Sequence, residues 1–204
     1  PTPEETPTPT PEPSATPSPT PPTKNLLNAS TRVYAEQGDS VMIGGFILTG
    51  DAAKKVVLRA VGPSLAEAGI TDEMADPVLD LYDSTGSSID QNDNWSSLSP
   101  DVVASGLTPK DPAESLIEAT LPPGNYTAVL RGANGSSGVA LCEIYDFEPS
   151  NSRVSNMSTR GPVGLGDQVL IGGFIIGGLD PTKIIVRAIG PSLTNRGVAG
   201  ALQN

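Results

Sequence analysis

The chain contains part of itself twice. Asn28-Ala-Ser30-Thr31-Arg32 returns as Asn156-Met-Ser158-Thr159-Arg160, and Gly38-Asp39 returns as Gly166-Asp167. Ile43-Gly-Gly-Phe46-Ile47 returns as Ile171-Gly-Gly-Phe174-Ile175, and Arg59-Ala-Val-Gly62-Pro63-Ser64-Leu65 as Arg187-Ala-Ile-Gly190-Pro191-Ser192-Leu193. Every pair is offset by 128, without a gap from Asn28/Asn156 to Asp76/Asn204, and about 21 of the 49 aligned positions are identical. Chance does not produce such a register. The fold must be built from copies of one unit, a complete one over 25–151 and the first half of a second over 152–204. Half a repeat does not normally bury its own hydrophobic face. The expectation is that missing sequence or another chain completes the second copy.

Residues 1–24 are of another kind. Pro, Thr, Ser and Glu dominate, and Val, Ile, Leu and aromatic residues are absent. Such a segment has nothing to bury against the entropy of ordering. It reads as a disordered or polyproline II linker, about 70 Å long at about 3.1 Å per residue. Its Thr-Pro and Ser-Pro alternation is that of O-glycosylated stalks.

After residue 24 the signals are those of a β protein. Short β-branched or alternating runs at 40–48, 55–61, 78–82, 116–121, 126–131 and 139–145 are bounded by Gly, Pro, Asn and Asp. The last two runs flank Gly-Ala-Asn-Gly-Ser-Ser-Gly at 132–138 and read as a hairpin. Only 64–74 and 101–105 look locally helical. The spacing predicts an all-β chain of tandem β-sandwich modules, jelly-roll, immunoglobulin-like or a small barrel. Gly-Gly pairs inside apolar runs at 44–45 and 172–173, with 177–178 at a strand end, predict bulges or close backbone approach.

Composition removes several chemistries. Lys plus Arg is 12 and Asp plus Glu 23, a net charge of −11, which disfavours gripping nucleic acid or anionic lipid. No apolar run reaches the ~18–20 residues of a membrane-spanning helix. Histidine is absent, and with it Ser-His-Asp catalysis and the usual base near neutral pH. Cys142 is the one cysteine, so an intrachain disulfide and a Cys-rich metal site are excluded. Alternation places it with Ala140 and Ile144 on a buried face, as an inert packer.

Several motifs invite a functional reading. Gly38-Asp39-Ser40 is similar to the start of one family of serine hydrolases, but the chain supplies no histidine base and the copy has Gln168 in place of Ser40. A turn before a strand is the better reading. Gly62-Pro63-Ser64 and its copy read as the start of a short helix, while Arg59 is expected to pair with an internal acid such as Asp39. Arg32, Asp39, Arg59, Pro63, Arg160, Asp167, Arg187 and Pro191 are therefore expected to be structural residues of the repeat.

Asp90, Asn92, Asp93 and Asn94 offer clustered oxygens that suit calcium, with Asp80 or Asp83 near, although the spacing is not that of an EF-hand. Trp95 beside them is either a core residue or a sugar-stacking surface. Asp and Glu pairs for glycoside hydrolysis are not repeated and imply no cleft. Asn-X-Ser/Thr occurs at Asn28, Asn94, Asn125, Asn134 and Asn156. No cofactor other than calcium is expected.

Taken together these motifs resemble a β-rich repeat of large secreted or surface proteins of environmental bacteria. The likeness runs from Ser30-Thr31-Arg32 through Asp76-Pro77-Val-Leu79, Asn92-Asp93-Asn94-Trp95, Glu114-Ser115 and Leu121-Pro-Pro-Gly124-Asn-Tyr126-Thr127 to Glu143-Ile-Tyr145-Asp146. The Pro-Gly-Asn-Tyr half also looks like the small β-sandwiches appended to secreted proteases. The resemblance implies export, tandem arrangement and a β-rich fold, with no catalytic residues. The expectation is a non-enzymatic extracellular protein, a repeat subunit of a surface fibre or adhesive stalk. Its partners would be copies of itself, assembling by strand complementation. The alternative is a polysaccharide- or calcium-binding module of a larger secreted protein.

Overall fold

The computed structural model describes residues 25–147, 151–178 and 181–203. The linker expected over 1–24 lies outside them. In chain order the strands are β1 (Asn25–Ala35), β2 (Met42–Thr49), β3 (Lys54–Val61), β4 (Pro77–Tyr82) and β5 (Ser88–Asn92), followed by the short helix α1 (Pro100–Ser105). Then come β6 (Ser115–Leu121), β7 (Gly124–Gly132), β8 (Gly138–Asp146), β9 (Arg153–Arg160) and β10 (Ile171–Gly177). They form two antiparallel five-stranded sheets, in the orders β10-β1-β8-β3-β6 and β5-β4-β7-β2-β9. The sheets pack face to face as a β-sandwich.

Alternation explains the packing. In β2, Met42, Phe46 and Leu48 point inward and are buried, as are Leu79 and Leu81 from β4 and Leu130 from β7. From the opposite sheet Val33, Val56, Leu58, Ala140 and Ile144 close on them in one core. The outer face of the first sheet has its own cover. Val57 and Leu116 pack beneath Val102 of α1, with Trp95, Leu98 and Leu107 around them.

The expected hairpin at 126–145 is corrected by this topology. β7 pairs with β2 and β4, whereas β8 pairs with β1 and β3 in the other sheet. The loop between them crosses the sandwich through a 3-10 turn at Ala133–Gly135, with Asn134 in the left-handed region at φ 51°. The Gln37 amide donates to the carbonyls of Gly132 and Ser136, at 3.2 and 3.1 Å, and holds the crossing.

The retained Gly-Pro-Ser-Leu motif has a steric cause. Pro63 opens a 3-10 turn (Pro63–Ala68) and Pro191 opens its copy (Pro191–Arg196). A β-carbon on Gly62 would lie 2.1 Å from the Met74 carbonyl oxygen, and one on Gly190 the same distance from that of Leu202. Backbone meets backbone in both copies, so neither glycine can be replaced without moving the chain.

Candidate assembly interface

The second copy does not form a separate module among the described residues. Its β9 and β10 are built into the edges of the first copy's sheets, β10 on β1 and β9 on β2. β9 is the counterpart of β1, and β10 that of β2. The first strand of each copy therefore pairs with the second strand of the other.

The two ladders share one register. Arg32 faces Ile171 as Ile43 faces Arg160, Thr31 faces Gly172 as Gly44 faces Thr159, and Ser30 faces Gly173 as Gly45 faces Ser158. Each shift by 128 turns one pair into the other. Even the irregularities correspond, with the bulged Leu27 in β1 matched by Ser155 in β9. The arrangement is a local two-fold of the isologous kind. The hydroxyls of Thr31 and Thr159 meet across it at 2.8 Å, bridging the two sheets.

This pairing explains which motifs the copies share. A β-carbon on Gly45 would stand 2.8 Å from the Ser158 hydroxyl, and one on Gly173 2.9 Å from that of Ser30. Ser-Thr-Arg of one copy lies on Gly-Gly of the other, reciprocally. The second glycine of each pair, Gly45 and Gly173, thus serves close approach, as the sequence suggests, and the bulge falls elsewhere.

The two-fold is broken where Val33 meets Gly161. Val33 corresponds to Gly161, and a β-carbon on Gly161 would sit 2.8 Å from Val33 Cγ2. One valine fits there and two do not, so the contact favours unlike copies. Gly161→Val is expected to cost about 1–3 kcal/mol by overpacking. Hydrogen exchange should accelerate in β9 and β10 before the rest of the sandwich, and Val33→Gly in the same chain should restore part of the protection. Unchanged exchange would contradict the packing.

Arg59 finds a different acid from the one expected. It donates through Nε to Glu143 at 2.8 Å and through Nη1 to the Leu107 carbonyl at 2.9 Å. Glu143 is its cross-strand neighbour on β8. Asp39 sits exposed on a 3-10 turn (Gly38–Ser40) before β2, in the other sheet's connection, and Asp167 occupies the same turn in the copy. Ser40 and Gln168 both close these turns, which serve as the turn before a strand. Arg32 and Arg160 flank the two-fold and make no ion pair among the described residues.

The calcium candidates are spread over a strand edge and the loop after it. Asp90 and Asn92 belong to β5, which pairs with β4. The Asn92 side-chain oxygen accepts from Leu116 N at 3.0 Å, and its carbonyl from the Ser115 hydroxyl at 2.8 Å. Asn92 thereby stitches the two sheet edges together. Asp90 accepts from the Gln91 amide at 2.8 Å. Asp80 is engaged by Arg131 at 3.1 Å and by Gln91. Asp93 and Asn94 are exposed in the following loop. No group of three His, Cys, Asp or Glu placed to hold a metal occurs among the described residues. Trp95 takes the core alternative: its indole donates to the Asp111 carbonyl at 2.9 Å and its ring packs in the outer cluster.

Asn28 donates to the Ile144 carbonyl at 3.3 Å and is buried, so that Asn-X-Ser site is closed in the folded chain. Cys142 lies with Ala140 and Ile144 inside, and burial, then the nearby Glu143 carboxylate, push its thiol up to about 12. The thiolate is the reactive form. Cys142 should resist alkylation at pH 8 in the native chain and react fully in denaturant; rapid labelling of folded protein would contradict its placement.

Sequence reasoning gave no ion-pairing role to Glu143 and Asp146, which lie beyond the repeated stretch and have no internal comparison, nor to Lys54, whose counterpart is Thr182. It also passed over Gly161, though a divergent position between two retained motifs was a readable signal. No family model matches the chain, and no curated protein matches it.

Proposed function

We propose that this chain is a non-enzymatic structural repeat protein, exported to the cell surface, where copies of the repeat join by reciprocal strand addition to build a stalk or fibre. The observation that carries the reading is the matched pair of ladders, β1 with β10 and β2 with β9, formed by the segments the two copies share. Strand addition satisfies the backbone groups of both sheet edges at once, and edges left open invite aggregation. The composition of the Pro/Thr-rich segment suits a spacer between the surface and the folded repeats. Export rests on the resemblance of the motifs to secreted repeats.

The polysaccharide- or calcium-binding reading gains nothing from Asn92 and Trp95, whose polar groups are spent inside the fold. The test is microscopy and intact-mass measurement of protein taken from the native cell surface. Elongated particles built from repeats are expected. Compact monomers at every concentration, or protein confined to the cytoplasm, would overturn the proposal.

A further inference from the structure

The second copy carries the apolar residues of the first without their cover. Phe46 is 2% exposed and its counterpart Phe174 47%. Leu58 is fully buried and Val186 is 76% exposed; Val57 is fully buried and Ile185 is 83% exposed. The last two pairs lie on opposite faces of one segment. In the first copy that segment is β3, held between β6 and β8. In the second, residues 182–189 run with no hydrogen-bonded strand beside them.

Charge repeats the pattern. Arg59 has Glu143 opposite it on β8, whereas Arg187 has no ion-pair partner among the described residues. The bare surface thus asks for strands that are apolar at alternate positions and that bring one carboxylate to Arg187.

The first copy states what meets that description. Its own 77–146, strands β4 to β8, covers the equivalent surface there. We propose that the uncovered surface of the second copy, Phe174 together with both faces of residues 182–189 (Val186 on one, Ile185 and Arg187 on the other), is the docking surface for the second half of this same repeat. Laid on as in the first copy, that half places a β7-like strand against β10 and a β8-like strand against β9. Each sheet then continues without interruption through the two-fold, with four strands from each copy. The occupant sets the Glu143-equivalent carboxylate opposite Arg187.

This inference rests on the reading of the chain as joined repeats, but its test reads residues 182–189 and not the two ladders. The full chain is compared with the same chain carrying a second set of residues 77–151 joined after residue 204. Hydrogen exchange, binding of an apolar dye and sedimentation mass are followed. The added half should slow exchange over 182–189 at least about tenfold, lower dye binding and leave a monomer.

A version whose added half carries Glu143→Ala, and one with Arg187→Ala, should each lose part of that protection, and combining them should lose no more. Exchange over 182–189 unchanged by the added half overturns the inference. So does the parent chain covering this face by dimerising, which would make a second copy the occupant. Loss of protection in β9 and β10 would instead count against the reciprocal pairing.

Discussion

Phe46→Ala should destabilise the protein by about 3–5 kcal/mol, while Phe174→Ala, the same change in the same motif, should cost about 1 kcal/mol or less. Phe46 points inward from β2, stacks on Tyr126 with ring centroids 5.3 Å apart, and sits in the main core. Removing it leaves a cavity between two sheets that are paired on both sides and cannot collapse to fill it. Phe174 has its backbone neighbour in β1 but no opposing sheet over its ring. The pair isolates tertiary burial from local sequence, because the flanking Ile-Gly-Gly and Ile are identical. Denaturant melts of the two variants decide it. Equal losses would mean that the second copy is as well buried as the first.

Asp146→Ala is expected to cost a similar amount, about 3–5 kcal/mol, the penalty for removing one member of a buried ion pair. The Asp146 carboxylate pairs with Lys54, and both side chains are nearly solvent-free at 3% and 1% exposure. Its second oxygen accepts from Val154 N at 3.1 Å, tying the first copy to the start of β9. Asp146→Asn keeps an acceptor for Val154 and loses the charge facing Lys54, so it should fall between the wild type and the alanine variant. Equilibrium unfolding reads both. A loss below about 1 kcal/mol for Asp146→Ala would show that the pair is hydrated in solution.

The sandwich was legible because most of its strands announce themselves: β2, β3, β4, β6, β7 and β8 are apolar or alternating and end at turn residues. β1 was not, since Asn28, Ser30, Thr31 and Arg32 interrupt its alternation and its strand character comes from partners on both sides. β5 reads as a loop because Asp, Gln and Asn carry low strand propensity; its pairing with β4 and the Asn92 bonds override that. The pairing of β7 and β8 was misjudged because adjacency in sequence suggested a hairpin where the chain changes sheets.

For the interface, the repeat revealed which residues matter and not why. Ser-Thr-Arg and Ile-Gly-Gly-Phe lie in opposite sheets within the first copy, and strand pairing joins them only between copies. Arg59 shows the same limit, as its acid lies 84 residues on, at a position without a copy to compare.

Thr31→Cys with Thr159→Cys in one chain tests the reciprocal pairing most directly. The two hydroxyls are 2.8 Å apart across the local two-fold, so cysteine sulfurs at these positions are within bridging reach. Cys142 is the direct cross-strand neighbour of Thr31 on β8, so the pair is placed in a Cys142→Ala background to leave no competing thiol. Mild oxidation of the folded protein should give a monomer with one intrachain disulfide joining residues 31 and 159, identified by peptide mapping. Free thiols after oxidation, or bridges only between chains, would contradict the pairing of the two copies within one molecule.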